Sequence, residues 1–309
     1  MSKKLVLVDG DALTYQSSKD TLQESINILD EKIQNILDKT EADYYAIFIS
    51  NSPYFRHQIS KDYKSTREKY KSTLKWLKTL KSYLRENYSE NSMNLVEADD
   101  IIAYWKNKNL YIADDGKIEP KETFDNALDY CKQMKLDLFH YESLEVIIAS
   151  PDKDLLQSIP GKHFNYTYKL EDKDNPDSVI KGWWVETTKE EASNFKLWQL
   201  IAGDSSDNVT TPFPENCANW IVEGDADLLS ILGGYIEGFD YRTPKGQIKF
   251  KEWYGISKGI YEYQKNYRLL HLLDCDEDFY REIGELPESP TILPVIREEK
   301  VDELKDVSF

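Results

Sequence analysis

The chain has 309 residues, 40% of them apolar and 31% charged, with a formal net charge of −17, a composition that fits a soluble globular protein with material for one large domain or two modest ones. No stretch approaches the roughly 18 consecutive apolar residues of a membrane span, and the apolar run after Lys3 and Lys4 meets an acid too soon for a signal peptide. Cys131, Cys217 and Cys275 are widely spaced and odd in number, which fits buried thiols in a reducing cytoplasm rather than a disulfide framework or a zinc site.

Lys4–Asp9 is a continuous apolar run ending in an acid, the pattern of a buried parallel strand that delivers a side chain at its C-terminal end. Leu22, Ile26, Leu29, Ile33 and Ile36 follow at helical spacing, and residues 44–50 (YYAIFIS) read as a second strand. Leu74, Leu77, Leu80, Leu84 and Tyr88 mark another amphipathic helix. At about 100° per residue, Lys71, Lys75, Lys78, Lys81 and Arg85 form a stripe roughly 120° from its apolar face. Residues 56–85 carry ten Lys/Arg against Asp62 and Glu68, a local balance of +8 that leaves −25 on the rest. Screening confines each field to about 10 Å, so a basic island on an acidic protein can still hold phosphate. Further on, 97–105 and 124–136 read as helices and 145–150 (EVIIAS) as a third buried strand, with Asp152 directly after it. Alternating strands and helices predict an α/β fold with a mainly parallel sheet, whose site lies beyond the carboxyl ends of its strands. Residues 172–176 read as a polar loop. From Phe195 the signal is mainly helical, with breaks at 212–214, 233–234 and 244–246. The acidic, proline-containing tail after Glu285 is expected to cross the surface. A boundary is placed near 190, giving an α/β domain at 1–190 and a mainly helical region at 191–309.

Four groups of carboxylates stand out: Asp9 and Asp11 in LVDGD; Glu97, Asp99 and Asp100 in VEADDII; Asp152 and Asp154 in SPDKDLL; Asp204 and Asp207 in GDSSDN. Any one group has a structural explanation, since acids in a first turn cap N–H groups and complement the helix dipole. Taken together they follow segments that should be buried, and like charges at low dielectric are costly unless a cation neutralises them. His57, His140, His163 and His271 show no ligand spacing, so the ligands would be oxygens, which suit Mg²⁺ or Mn²⁺. Two such ions about 4 Å apart can activate water and stabilise the leaving oxygen of a phosphodiester.

The ordered set LVDGD, YKSTREKY, VEADDIIA, SPDKDLLQ and GDSSDNV resembles the 5′-nuclease family of flap endonucleases and 5′–3′ exonucleases, over roughly residues 4–209. The resemblance implies a PIN-like nuclease fold with a helical arch at about 54–95, over the passage of a single-stranded 5′ end. It implies metal ligands at Asp9, Glu97, Asp99, Asp100, Asp152, Asp154, Asp204 and Asp207, holding two Mg²⁺ ions for which Mn²⁺ can substitute. It places Lys64 and Arg67 on the scissile phosphate, Tyr63 stacked on a base, and Arg56, Lys69, Lys71, Lys75, Lys78 and Arg85 along the nucleic acid. The implied substrate is DNA with a 5′ flap, nick or frayed end, or an RNA–DNA hybrid, in replication or repair. The implied protein is a cytoplasmic monomer close to the bacteriophage members of the family.

Two departures stand against this pattern. The family places an aspartate just after its second strand, where this chain has Ile49, Ser50 and Asn51. Asp11, two residues beyond Asp9, is the candidate to replace that acid as a ligand; the alternative is that it caps the following helix. The family also follows GDSSDN with a glycine-rich helix–hairpin–helix, and VTTPFPENCANWIVEG lacks those glycines, so close backbone approach to phosphate is lost there. Three other readings compete. In a haloacid-dehalogenase-type phosphatase, LVDGD would supply the Asp-x-Asp, but YKSTR and VEADD stay unexplained and Leu197, Leu200 and Ile201 have helical spacing. A non-catalytic DNA-binding scaffold gains nothing from an acidic cluster. A PIN-type RNase would leave the basic arch without a role.

Overall fold

The computed structural model describes residues 2–66, 74–88, 91–171, 179–211, 213, 217–224, 228, 232 and 255–297. In chain order the elements are β1 (Lys4–Asp9), α1 (Gly10–Ser17), α2 (Leu22–Thr40), β2 (Tyr44–Phe48), β3 (Asn51–Tyr54), α3 (Arg56–Ile59), α4 (Leu77–Tyr88), β4 (Asn94–Leu95) and α5 (Ala98–Asn107). Then come β5 (Leu110–Ala113), β6 (Ile118–Pro120), α6 (Lys121–Met134), β7 (Tyr141–Ser143), β8 (Glu145–Ala149), α7 (Lys153–Ser158), β9 (Gly161–Leu170) and β10 (Val179–Thr187). The last are α8 (Lys189–Ala202), α9 (Cys217–Glu223), α10 (Gly255–Leu270), α11 (Asp276–Glu282) and β11 (Leu293–Pro294).

The main sheet runs β10-β9-β8-β1-β2-β11. β1 is central and pairs in parallel with β2 (Leu5↔Tyr44 through Asp9↔Phe48) and with β8 (Lys4↔Glu145 through Val8↔Ala149). Its side chains alternate between two buried layers. Leu5 and Leu7 meet Ile101, Ile102 and Trp105 of α5, whereas Val6 and Val8 meet Leu29, Ile33 and Ile36 of α2 and Leu80 and Leu84 of α4. With both faces covered the strand has no polar side, which is why it reads as an unbroken apolar run. The sheet is therefore mainly parallel and flanked by helices, as expected, with antiparallel β10 and β11 at its edges.

Three features depart from the sequence reading. β9 and β10 form an antiparallel hairpin with a register shift between Lys181 and Trp183, in a stretch where no strand was expected. β5, β6 and β7 make a separate small sheet ordered β6-β5-β7. The chain beyond 190 also returns to the sheet: Leu272, Leu273 and Phe279 join the layer under α5, and β11 adds to the edge of β2. The expected loop at 172–176, and the breaks at 233–234 and 244–246, lie outside the described residues. Among the described residues no helix is long and apolar enough to cross a membrane.

The step from β1 into α1 is tight. A Cβ on Gly10 would lie 2.8 Å from the Phe48 carbonyl oxygen and 2.8 Å from Ile47 Cγ2, so only glycine lets the chain turn there while Asp9 caps α1 by accepting from Ala12 N–H. Gly10→Ala should therefore destabilise the protein by about 1–3 kcal/mol through overpacking, read as a lowered urea midpoint at unchanged m-value. A wild-type midpoint would contradict this packing.

Candidate metal centre

Asp9, Glu97, Asp99 and Asp152 come together because four separate elements end or begin at one edge of the sheet. Asp9 closes β1, Asp152 caps α7 just after β8, and Glu97 caps α5, with Asp99 in that helix's first turn. These four, with Asp11, Ala12, Tyr15, Gln16, Ser50, Tyr54 and Lys64, line an open cleft of about 360 Å³. Asp154, Asp204 and Asp207 stand beside it. Gln199 Nε2 of α8 links Asp154 (2.9 Å) to Asp204 (3.4 Å), and Asp207 lies 3.6 Å from the Lys64 ammonium in the cleft wall.

The charges divide into two kinds. Burial and the neighbouring Asp11 and Asp152 push the Asp9 carboxyl up to about 7. Burial, Asp9 and Asp152 drive Asp99 well above the carboxylate range, and burial with Asp152 takes Asp154 to about 7. For Glu97 burial works in the same direction, but Lys64 and Arg56 outweigh it and hold the carboxyl at about 2. Asp204 is also buried, yet Lys153 at 2.8 Å and Ser206 hold it at about 2. Among the described residues no lysine or arginine forms an ion pair with Asp9, Asp99 or Asp154. Buried carboxylates that raise one another's proton affinity favour a divalent cation. The donor set is all oxygen, so the residues fit Mg²⁺ or Mn²⁺. Among the described residues the trio with ligand atoms gathered within 4.8 Å is elsewhere, at His271, Asp274 and Asp278. Those acids already pair with Lys196 (2.8 Å) and Arg281 (2.5 Å).

Several expected roles change. Asp100 is completely buried, and its two oxygens are bound by Arg56 at 2.6 and 2.8 Å and by the Leu273 N–H at 3.0 Å. One residue further round the helix than Asp99, it points into the protein and not into the cleft. Arg56, expected along the nucleic acid, is 1% exposed. Tyr63, expected to stack on a base, is 3% exposed, and its hydroxyl donates to Glu97 (2.9 Å) and Asp207 (3.3 Å). Lys64 pairs with Glu97 inside the cleft. Lys75, Lys78 and Arg85 are exposed on or just before α4 as the stripe predicts, but Lys81 turns inward. Arg67, Lys69 and Lys71, within the arch expected at about 54–95, lie outside the described residues.

Asp11 is not the cap of α1, and it lines the cleft already paired with a cation. Asp9 holds the cap, while Asp11 accepts from Ser50 N–H at 3.2 Å and pairs with Lys81 Nζ at 2.5 Å. Ser50, one of the three residues 49–51 at which an acid was expected and is missing, accepts from the Ala98 N–H at the start of α5 with its hydroxyl (2.8 Å). The groups that support the acids carry no motif of their own in the sequence. Ser150 Oγ donates to Asp9 (2.8 Å) and accepts from Asp152 N–H (3.0 Å), and Tyr166 OH binds the Asp9 carbonyl (2.7 Å). Tyr15, six residues after Asp9 on α1, is half-buried on the cleft wall; the helical phase of α1 was the signal that could have found it.

No family model matches this chain, and no curated protein does. Solved structures do resemble it. The bacteriophage T5 flap endonuclease, in a pseudo-enzyme–product complex with DNA and metal ions, superposes with a TM-score of 0.55 at 15% identity, over 88% of this chain and 90% of that one. The same phage protein co-crystallised with metal ions gives 0.52 at 15% identity over 88% and 90%, and the T5 5′-exonuclease with zinc bound gives 0.50 at 16% identity over 88% and 90%. The fold of this chain is the fold of those phage 5′-nucleases.

If Lys81 neutralises Asp11, Lys81→Met should leave an extra anion at the cleft and tighten Mn²⁺ binding to the DNA-free protein several-fold, a gain of roughly 1 kcal/mol at partly exposed positions. Calorimetric titration measures it; unchanged affinity would place Asp11 outside the field of the metal centre.

Proposed function

We propose that this chain is a divalent-metal-dependent 5′-nuclease that hydrolyses phosphodiester bonds near the 5′ ends of flapped, nicked or frayed DNA, or of RNA–DNA hybrids. The observation that carries the reading is the convergence of Asp9, Glu97, Asp99 and Asp152 on one cleft that also holds Lys64, in a chain with the fold of phage 5′-nucleases. A small-phosphate phosphatase built on Asp9 and Asp11 fits less well, because Asp11 is engaged by Lys81.

Asp9, Glu97, Asp99 and Asp152 would hold one Mg²⁺ or Mn²⁺; Asp154, Asp204 and Asp207, with Asp152 between, would hold a second. When bound, such ions activate water and neutralise charge developing on the phosphoryl oxygens. The chain's own residues do the rest. Lys64 would leave Glu97 for the scissile phosphate and stabilise the same developing charge. Ser150 and Gln199 hold Asp9 and Asp154 in fixed orientation. Arg67, Lys69 and Lys71, with the exposed Lys75, Lys78 and Arg85, would track the backbone of the 5′ strand. Tyr15, and not the buried Tyr63, would offer its ring to a base, since aromatic faces stack without reading sequence. The helices after 190 would meet the duplex without a glycine-rich hairpin. We read the protein as a cytoplasmic monomer acting in replication or repair, of bacteriophage type.

A 5′-labelled flap, a nicked duplex and an RNA–DNA hybrid, each incubated with Mg²⁺, Mn²⁺, Ca²⁺ or EDTA, test the proposal. Cleavage is expected with Mg²⁺ and Mn²⁺. Ca²⁺, larger and looser in geometry, should permit binding with little turnover. Asp152→Asn and Asp154→Asn should each lower the rate by about 100-fold or more, as lost ligands of a centre that carries the chemistry. Full turnover in EDTA would end the metal reading.

Changing Lys75, Lys78 and Arg85 together to alanine should weaken binding and flatten its salt dependence, each lost phosphate contact reducing the slope of log K against log[salt] by about 0.7–0.9. An unchanged slope in the triple variant would show that this stripe faces away from the substrate.

A further inference from the structure

Among the described residues Arg56 is the largest fully buried side chain, and its partners bear on the metal centre. One terminal nitrogen donates to Glu97 Oε2 (2.9 Å) and Asp100 Oδ2 (2.6 Å); the other donates to Asp100 Oδ1 (2.8 Å) and to the His271 carbonyl (2.8 Å). Asp100 completes the unit by accepting the N–H groups of Leu273 (3.0 Å) and Glu97 (3.4 Å). The planar guanidinium is thus clamped between two acids of the same helix start and the backbone that follows α10. Such a fork fixes the orientation of both carboxylates, as a point charge does not.

We infer that Arg56 and Asp100 are a positioning pair: Asp100 is withdrawn from metal ligation to hold Arg56, and Arg56 holds Glu97 as a ligand. This rests on the reading of the cleft as a divalent-metal site. Three features support the division of labour. Asp99 lines the cleft and Asp100 does not, although they are neighbours in one first turn. Glu97 Oε2 is anchored by both Arg56 and Tyr63, which leaves Oε1, now facing Lys64, as the oxygen to offer a cation. Mg²⁺ demands near-ideal octahedral geometry, so a ligand aimed by a bidentate arginine is worth more than one left to its own rotamers. The contacts to His271 and Leu273 also tie the aim of Glu97 to the C-terminal third of the chain. Loosening that segment should therefore be felt at the metal without touching it.

The test is a double-mutant cycle read in Mn²⁺ affinity of the full-length, DNA-free protein, by electron paramagnetic resonance of free Mn²⁺, with circular dichroism to confirm folding. R56M and D100N should each weaken binding about tenfold, the scale of losing an outer partner of a ligand. The R56M/D100N double variant should be no weaker than either single, and in an E97Q background neither change should weaken binding further. R56K, which keeps the charge but not the fork, should recover part of the loss; it replaces R56M in the cycle if R56M does not fold. A further tenfold loss from D100N in the R56M or E97Q background would show that Asp100 is itself a ligand and overturn the inference. D152N separates the two levels of the account. If it leaves Mn²⁺ binding intact, the metal-centre reading fails; if it abolishes binding while R56M has no effect, only the positioning pair fails.

Discussion

Mutual repulsion among buried carboxylates is the constraint on which the rest of this molecule turns. A sheet buried on both faces delivers Asp9 and Asp152 to one edge, and the starts of two helices bring Glu97, Asp99 and Asp154 beside them. The result is a set of acids whose burial and proximity hold Asp9 and Asp154 near 7. Folding does not produce such a cluster for stability, because each added anion at low dielectric raises the cost of the others. The protein offsets part of this with its own cations. Lys64 enters the cleft against Glu97, Lys153 meets Asp204, Lys81 meets Asp11 and Arg56 meets Asp100. What remains at Asp9, Asp99 and Asp154 is the charge that a divalent ion would balance.

The same internal cations bear on the places where the chain departs from the 5′-nuclease pattern it resembles. After β2, where that pattern calls for an acid and this chain has Ile49, Ser50 and Asn51, Ser50 supports the first turn of α5 and gives its N–H to Asp11. With Lys81 on Asp11, this corner of the cleft carries little net charge. The first metal centre would therefore rest on Asp9, Glu97, Asp99 and Asp152. The aim of Glu97, set by Arg56 and Tyr63, then matters more than it would in a site with acids to spare.

Much of the framework was legible in the sequence, and the limits have physical causes. β1, β2 and β8 were readable because complete burial makes a strand uniformly apolar, and α2 and α4 because one-sided burial imposes a 3.6-residue period. The β9–β10 hairpin was missed although Phe164, Tyr166, Tyr168 and Leu170 alternate with Asn165, Thr167 and Lys169 in the period of a strand; in β10 the alternation is broken at Lys181, beside a register shift. The acids of the site were legible as a set, because so many carboxylates after buried segments need a common reason. Which member of a neighbouring pair faces the cleft was not. Asp99 and Asp100 differ only by about 100° of helix phase, and the partner that captures Asp100 lies 44 residues away at Arg56. Tyr63 was placed on a base by the resemblance alone, and nothing local in the sequence reveals that its hydroxyl is tied to Glu97 and Asp207.

The central claim is that this cleft hydrolyses nucleic acid from its 5′ side. It is tested most directly by product mapping of one flapped duplex labelled separately at the 5′ and 3′ ends of the flap strand, in the presence of Mg²⁺. The account predicts short 5′-labelled fragments cut at or near the junction, with the 3′-labelled strand shortened only from its 5′ end. Degradation from the 3′ end, or an intact flap alongside hydrolysis of p-nitrophenyl phosphate, would contradict it.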